Sequence, residues 1–427
     1  MCGIFAAFSS NEPIEIRADQ KKLILDKLFL RGPDNQSFIK VDSHCYLAHT
    51  RLSIIDLKEQ ANQPMSSSDG SLWVVFNGEI YNYSELKALT PDYDYKTNGD
   101  TEVILALYQT FGNDFVSKLR GMFSIVIYDK SKNEIISLID RFGIKPLYYM
   151  IDEGVIYISS RIDVLNIFNK RYGYNKETIQ RYFLKGELFN NEDTFFNNVQ
   201  CLRSSELLSF KNAKFMKKQY WGKAFFNKNL NYRNYADLVD YVDNVLMDSI
   251  KIHQVSDVEV ALNLSSGLDS NFLRMAMSSK MNHNELLKCY SFGFNNPVFD
   301  DFIDFENYSK KNYQFNVTNI DAKDILNSLE STIEAIEGPV GGMGMIGFWL
   351  NMRDARANGI KVMLSGQGAD ELFAGYKYYM NTNLKSRNNI TLASDGTSLG
   401  TANYLNPDFF TDTISTIRSE HFSSGLE

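Results

Sequence analysis

Met1-Cys2-Gly3-Ile4-Phe5-Ala6-Ala7-Phe8 opens the chain. Gly3–Phe8 is an apolar run of strand length, and it places a cysteine at its leading end, directly behind the initiator methionine. Once Met1 is removed, Cys2 carries a thiol nucleophile and a free α-amine in one residue. The amine, with an ordinary pKa of about 7.7–8.0, can take the thiol proton directly or through one water, so no histidine is needed. The plain reading is that a second codon holds any small residue. The residues downstream of Phe8 decide between the two.

Outward from Cys2, short β-rich runs alternate with turn signals: Gly3–Phe8, Cys45–His49, Leu72–Phe76, Phe123–Tyr128, Glu134–Leu138, Leu147–Met150 and Val155–Ile158. Such spacing predicts an antiparallel, two-sheet α+β domain. Helices are predicted over Arg17–Leu28 and over Thr101–Phe111, with Asp100 or Thr101 as N-cap. The pattern changes near Tyr220-Trp221. Tyr235–Ile250 has Leu238, Val242, Val245, Leu246 and Ile250 at helical spacing. Val258–Leu264 reads as a buried strand ending in Ser265-Ser266-Gly267-Leu268-Asp269-Ser270, with a helical run from Asn271. Leu286–Phe294, Phe315–Ile320 and Ile360–Leu364 are further strands separated by helices. The order is that of a parallel α/β sheet, whose ligands sit at the carboxyl ends of its strands. From about Lys385 the chain is polar and aperiodic, which predicts loops.

The 427 residues are enough for two or three domains, and a net charge of −8 spread along the chain argues against general nucleic-acid binding. Cys2, Cys45, Cys201 and Cys289 form no CxxC, and the histidines lack metal-ligand spacing. No apolar run approaches transmembrane length, and the first apolar stretch lacks a basic flank for a signal peptide. The expectation is a cytoplasmic protein, with no membrane and no nucleic acid as partner.

Behind Cys2 come Arg31-Gly32-Pro33-Asp34, His49-Thr50-Arg51-Leu52-Ser53-Ile54-Ile55-Asp56, Asn77-Gly78-Glu79-Ile80-Tyr81-Asn82 and Asn98-Gly99-Asp100-Thr101-Glu102. A thiolate attacking a carboxamide makes an oxyanion, for which the Asn77 side chain and the Gly78 N–H would be donors. Arg51 offers a fork for a carboxylate, and Asp100 a countercharge for an ammonium. Taken singly, Asn-Gly is a hairpin signal, Asp100 a helix cap and Arg51 a surface cation. As an ordered set, together with Asp140-Arg141-Phe142-Gly143-Ile144-Lys145-Pro146-Leu147-Tyr148-Tyr149, these motifs resemble the class II (N-terminal-nucleophile) glutamine amidotransferases, and more closely the asparagine synthetase family. The resemblance covers most of residues 2–160. It implies Cys2 as nucleophile, an oxyanion hole of Asn77 and Gly78, and glutamine held by Arg51, Leu52, Ser53, Ile54, Ile55, Glu79 and Asp100. Ser159-Ser160-Arg161 departs from the family, which has glutamate in place of Arg161, at a position associated with the junction between the two domains.

Ser265–Ser270 lacks the Gly-Lys-Ser/Thr of a Walker loop. It resembles the pyrophosphate loop of the N-type ATP pyrophosphatases, with Ser266 replacing a glycine. Leu364-Ser365-Gly366-Gln367-Gly368-Ala369-Asp370-Glu371 resembles the family's Ser-Gly-Glu-Gly-Ala-Asp-Glu loop, with Gln367 in the glutamate position. Ser291-Phe292-Gly293-Phe294 resembles the strand beside adenine, with Asp304-Phe305-Glu306 after it, and Glu337-Gly338-Pro339 resembles a further family loop. The resemblance implies ATP and pyrophosphate at Leu264, Ser265, Ser266, Gly267, Leu268, Asp269, Ser270, Phe292, Gly293, Ser365 and Gly366. It places Asp370 and Glu371 near the acyl group, and Mg²⁺ at Asp269 and Asp370, with no prosthetic group.

The expected fold is an N-terminal-nucleophile amidotransferase domain over 2–221, with two antiparallel sheets between helices. An α/β ATP pyrophosphatase-like domain is expected over 222–384, and a loop-rich segment over 385–427. The implied activity is that of a glutamine-hydrolysing asparagine synthetase: Cys2 releases ammonia, ATP adenylates aspartate, and ammonia displaces AMP. Two alternatives are another carboxylate acceptor, such as a sugar uronate, and a glutaminase-only or regulatory homologue. The family's Glu-x-Arg-x-Pro-Phe-Leu-Asp stretch is not found between Lys377 and Glu427, so a C-terminally shortened member is expected, with Lys377 a weak substitute for the family's lysine. Glutamine, ATP and aspartate or another carboxylate are the implied partners, with a homodimer as the assembly.

Overall fold

The structure, a computed structural model, describes residues 1–185, 192–222, 234–279, 286–294, 296, 300 and 312–375. Asp304-Phe305-Glu306, Lys377 and the segment 385–427 lie outside these. The first half runs β1 (Gly3–Ser9), α1 (Ala18–Leu28), β2 (Asn35–Lys40), β3 (Cys45–Arg51), β4 (Met65–Ser66), β5 (Leu72–Ile80), α2 (Tyr83–Lys87) and α3 (Thr101–Phe111). It continues with β6 (Gly121–Asp129), β7 (Glu134–Ile139), β8 (Tyr148–Asp152), β9 (Val155–Ser159), α4 (Ile162–Leu165), α5 (Lys176–Lys185), β10 (Gln200–Cys201), β11 (Glu206–Lys211) and β12 (Lys214–Gln219).

Two six-stranded sheets result, ordered β10-β8-β9-β1-β3-β2 and β12-β11-β7-β6-β5-β4, and every pairing in them is antiparallel. β1 is buried on both faces, which is why Gly3–Phe8 reads as a continuous apolar run instead of an alternation. Ile4, Ala6 and Phe8 pack against Val75, Val126 and Phe210 of the second sheet. Phe5 and Ala7 face Ile24 and Leu28 of α1. Burying each such side chain stabilises the fold by roughly 1.5–3 kcal/mol. α3 is apolar enough to be buried along most of its length and stops at Gly112, whose φ of 54° few other residues adopt.

The second half runs α6 (Tyr235–His253), β13 (Val260–Asn263), α7 (Leu268–Ser278), β14 (Leu287–Gly293), β15 (Tyr313–Asn319), α8 (Ala322–Ile336), α9 (Met343–Ala357), β16 (Val362–Leu364) and α10 (Ala369–Phe373). Its sheet is parallel, in the order β15-β14-β13-β16. The strand order reverses beside β13, so the loops after β13 and β16 emerge side by side at the carboxyl edge. The two halves meet through the Arg120–Asp248 ion pair (2.6 Å) and the rings of Tyr81 and His253, 4.4 Å apart. Buried Arg161 stands at the same junction. It pairs with Asp163 (2.9 Å) and with Glu337 (3.8 Å), and donates to the Glu334 carbonyl (3.2 Å).

Candidate active site

Cys2 sits at the leading end of β1, where Gly3 pairs with Thr50 of β3. Its Sγ is 3.5 Å from the Leu52 N–H, which points at the sulfur, and its carbonyl accepts from Arg31 Nε at 3.0 Å. Burial pushes the thiol pKa up, while the neighbouring ammonium and the Leu52 N–H pull it down. With Met1 present, the α-amine belongs to Met1. Burial lowers that amine from an ordinary 8.0 to about 5, with Arg31 and Lys145 acting in the same sense.

β5 does not end at Phe76. It continues through Ile80, with Asn77, Gly78 and Glu79 registered against Ser124, Phe123 and Met122 of β6. Asn-Gly is therefore not a hairpin turn here. Gly78 has φ of 154°, and a Cβ on it would lie 2.1 Å from the Met122 carbonyl oxygen, so no other residue fits. Asn77 is 1% exposed, yet both its Nδ2 and its Oδ1 lack a hydrogen-bond partner. A desolvated, unpartnered carboxamide is costly unless something occupies it.

Glu79 and Asp100 form the acidic side of the site. Burial and the nearby Asp100 hold Glu79 well above the usual carboxylate range, with Lys145 and the N-terminal ammonium acting in the opposite sense. Glu79 Oε2 also has no partner. Asp100 stands at the N-cap position of α3 but makes no capping hydrogen bond. Its Oδ2 accepts instead from the Ile80 N–H at 3.0 Å, and burial raises its pKa to about 6. Two neighbouring, desolvated carboxylates favour a cation beside them.

Arg51 is buried at the end of β3 and braces the loop that leaves it. Its terminal nitrogens donate to the carbonyls of Ile55, Asp56 and Lys58 and to Asn62 Oδ1. The carboxylate fork expected of it is engaged with the backbone of Ile55, Asp56 and Lys58, a few residues beyond Leu52, Ser53 and Ile54. Two further residues carry charge into the site without having been assigned a role from sequence. Arg31 contacts Cys2. Lys145, 7% exposed, interacts electrostatically with Glu79 and Cys2. The signal for Lys145 was a lone cation inside the apolar run Phe142–Tyr149.

In the second half, the Ser265–Ser270 loop closes on itself. The Gly267 N–H donates to Ser265 Oγ, Ser270 Oγ donates to the Ser265 carbonyl, and Asn271 Nδ2 donates to the carbonyls of Ser265, Ser266 and Gly267. Leu264 is buried beneath it, while Ser265, Ser266, Gly267 and Leu268 are exposed at the start of α7, a position suited to an anion. Ser365 and Gly366 come directly after β16. A Cβ at Gly366 would lie 3.0 Å from the Cβ of Asp269, so the two loops touch there. Asp370 and Glu371 open α10 a few residues on. Phe292 and Gly293 end β14, and the Phe292 ring packs so closely on α9 that a Cβ at Gly347 would lie 2.3 Å from it. Among the described residues, no group of three or more His, Cys, Asp or Glu could hold a metal alone, and no helix is long and apolar enough to cross a membrane.

Residues 1–221 match the glutamine amidotransferase domain family, and residues 241–418 match the asparagine synthase family. Asparagine synthetase [glutamine-hydrolyzing] 1 of Bacillus subtilis is 31% identical over 89% of this chain and 59% of its own length. Amidase chry2 of Gibberella zeae is 29% identical over 88% and 59%. Asparagine synthetase [glutamine-hydrolyzing] 2 of Bacillus subtilis is 36% identical over 63% of this chain and 38% of that protein. The chain thus spans about 59% of the length of the first of these relatives. It belongs to the glutamine amidotransferase family and joins that domain to an asparagine synthase domain.

Proposed function

We propose that the chain is a glutamine-dependent, ATP-consuming amide ligase with aspartate as the acceptor. The observation that carries this reading is the buried, unpartnered Asn77 carboxamide, held in a strand with Gly78 and with Glu79, whose carboxylate interacts electrostatically with Cys2 at the leading end of β1. The Cys2 thiolate attacks the glutamine carboxamide carbon, and Asn77 Nδ2 and the Gly78 N–H receive the charge that develops on oxygen. Once Met1 is removed, the Cys2 α-amine takes the thiol proton and returns it to the departing nitrogen, so collapse expels ammonia and leaves a thioester that water hydrolyses to glutamate and the free thiol. Glu79 and Asp100 receive the substrate ammonium. The loop braced by Arg51 receives its carboxylate, through Arg51 Nε or through an exchange of the carbonyls that the guanidinium now holds.

In the second half, an aspartate carboxylate oxygen attacks the α-phosphorus of ATP and pyrophosphate departs. Ammonia then adds to the acyl carbon, loses a proton and displaces AMP. Asp269 and Asp370 would hold Mg²⁺, which neutralises phosphate charge. Two hard carboxylate oxygens, with ATP itself supplying others, suit that ion. The match to Amidase chry2 supports a second reading, with the same chemistry on a different carboxylate.

Cys2→Ala is expected to lower glutamine hydrolysis at least ~10³-fold without unfolding the chain. Pyrophosphate release from ATP is expected to require aspartate. Release only with another carboxylate selects the second reading, and glutamate formation without any ATP consumption overturns the ligase assignment.

A further inference from the structure

The loop over Cys2 is held from both sides, and one side belongs to the other half of the molecule. From its own half, Arg51 grips the carbonyls of Ile55, Asp56 and Lys58, and the Leu52 N–H meets Cys2 Sγ. From the second half, Asp257 makes a reciprocal pair with the same loop. Its N–H donates to the Ile54 carbonyl at 3.0 Å, and its Oδ2 accepts from the Asp56 N–H at 2.7 Å. Asp56 needs such a partner, because its φ of 52° is left-handed and strained for a non-glycine residue. Lys361 closes the other end. Its Nζ bridges Asp34 Oδ2 at 2.7 Å and the Ser53 carbonyl at 3.5 Å, while the same Asp34 oxygen accepts from the Ser53 N–H at 2.8 Å.

We infer that Asp257 and Lys361 are positioning residues of the glutamine site, supplied by the nucleotide half to fix residues 53–56 over Cys2. Neither side chain needs to touch the substrate. Asp257 fixes the Ile54 and Asp56 peptides, and Lys361 fixes Ser53, so together they set where the Leu52–Ile55 backbone can meet an amino acid. The contacts sit just before β13 and β16, the two strands whose far ends carry the Ser265 and Ser365 loops. This inference rests on the proposed glutaminase role of Cys2.

The test is steady-state glutamine hydrolysis by the full chain. Asp257→Ala and Lys361→Ala are each expected to raise KM for glutamine by about three- to tenfold with a smaller change in kcat, the pattern of lost substrate positioning. Asp257→Asn, which keeps an acceptor oxygen for the Asp56 N–H, and Lys361→Arg, which keeps the cation, are expected to restore KM to within about twofold. Arg120→Ala removes an ion pair between the halves that does not touch the loop and is expected to leave KM unchanged. Cys2 alkylation by iodoacetamide provides a second readout that still works if a variant turns over poorly. It is expected to accelerate in the two alanine variants, as the loop loosens over the sulfur. Unchanged KM and unchanged alkylation in both alanine variants overturn the inference, as does an equal KM rise in Arg120→Ala. Retained activity in Cys2→Ala overturns the glutaminase reading instead, so the two failures are distinguishable.

Discussion

Asn77 and Gly78 are neighbours with opposite sensitivities. Asn77 is buried with both amide atoms unpartnered, so it contributes little stability through hydrogen bonds, and its truncation removes a desolvated polar group. Asn77→Ala is expected to lower kcat for glutamine hydrolysis by about 10²–10³-fold while shifting the urea midpoint little. Gly78→Ala is expected to do the reverse damage first. Its Cβ would collide with the Met122 carbonyl in the β5–β6 ladder, at a cost of about 2–4 kcal/mol in urea unfolding. Sequence reasoning reached both positions but ended the strand at Phe76 and read Asn-Gly, taken singly, as a hairpin turn. The deciding contact is with β6, more than forty residues away in the chain. Asp100 illustrates the same limit. Its local context reads as a cap, and only the β5 backbone at Ile80 reveals where its carboxylate goes.

At the level of elements, the strongly apolar strands and the two predicted helices of the first half were legible because burial on one or both faces leaves its period in the residues. α3 matches its expected span of Thr101–Phe111, and β13 falls inside Val258–Leu264. Some elements escaped although they are buried, among them β11, whose Leu207, Leu208 and Phe210 lie in the core; others have residues that do not report burial. β12 is Lys214–Gln219, almost wholly exposed, and β2 is the polar-led Asn35–Lys40. α8 ends in an ionic cluster that no single stretch of sequence announces. Glu337, at its left-handed C-cap, accepts from the Asp163 N–H at 2.9 Å and faces Arg161. Burial raises Glu337 from an ordinary 4.5 to about 7, with Arg161 pulling the other way. A carboxyl whose pKa is raised by folding favours the fold below its unfolded pKa, and that contribution is lost as pH rises from 4.5 through about 7. The stability of wild type relative to Glu337→Gln should therefore fall by up to about 3 kcal/mol across that window. Urea unfolding of both proteins at pH 4.5 and pH 8 measures it. An equal pH response in the two would locate the titrating group elsewhere.

At the scale of the whole molecule, the described residues of the two halves are buried to different extents. The first holds two extensive cores on either side of its second sheet, whereas the second relies on smaller clusters around a four-stranded sheet. It also exposes Leu268, Met275, Leu326 and Leu372. Amide hydrogen exchange is therefore expected to be slowest in β1, β3, β5 and β6 and distinctly faster in β13–β16. Comparable protection in both sheets would contradict this ordering.

β13 has four residues and β16 has three, so at ~3.3 Å per residue they span only about 10–13 Å. Each begins beside a contact on the Cys2 loop and ends at one of the loops proposed to take ATP. Spacers so short have no slack to absorb strain. A tilt of either strand must appear at both ends at once, so the Cys2 loop and the loops after β13 and β16 share one ruler. Lengthening it by a single inserted residue would turn every later side chain to the opposite face and put the ends out of step.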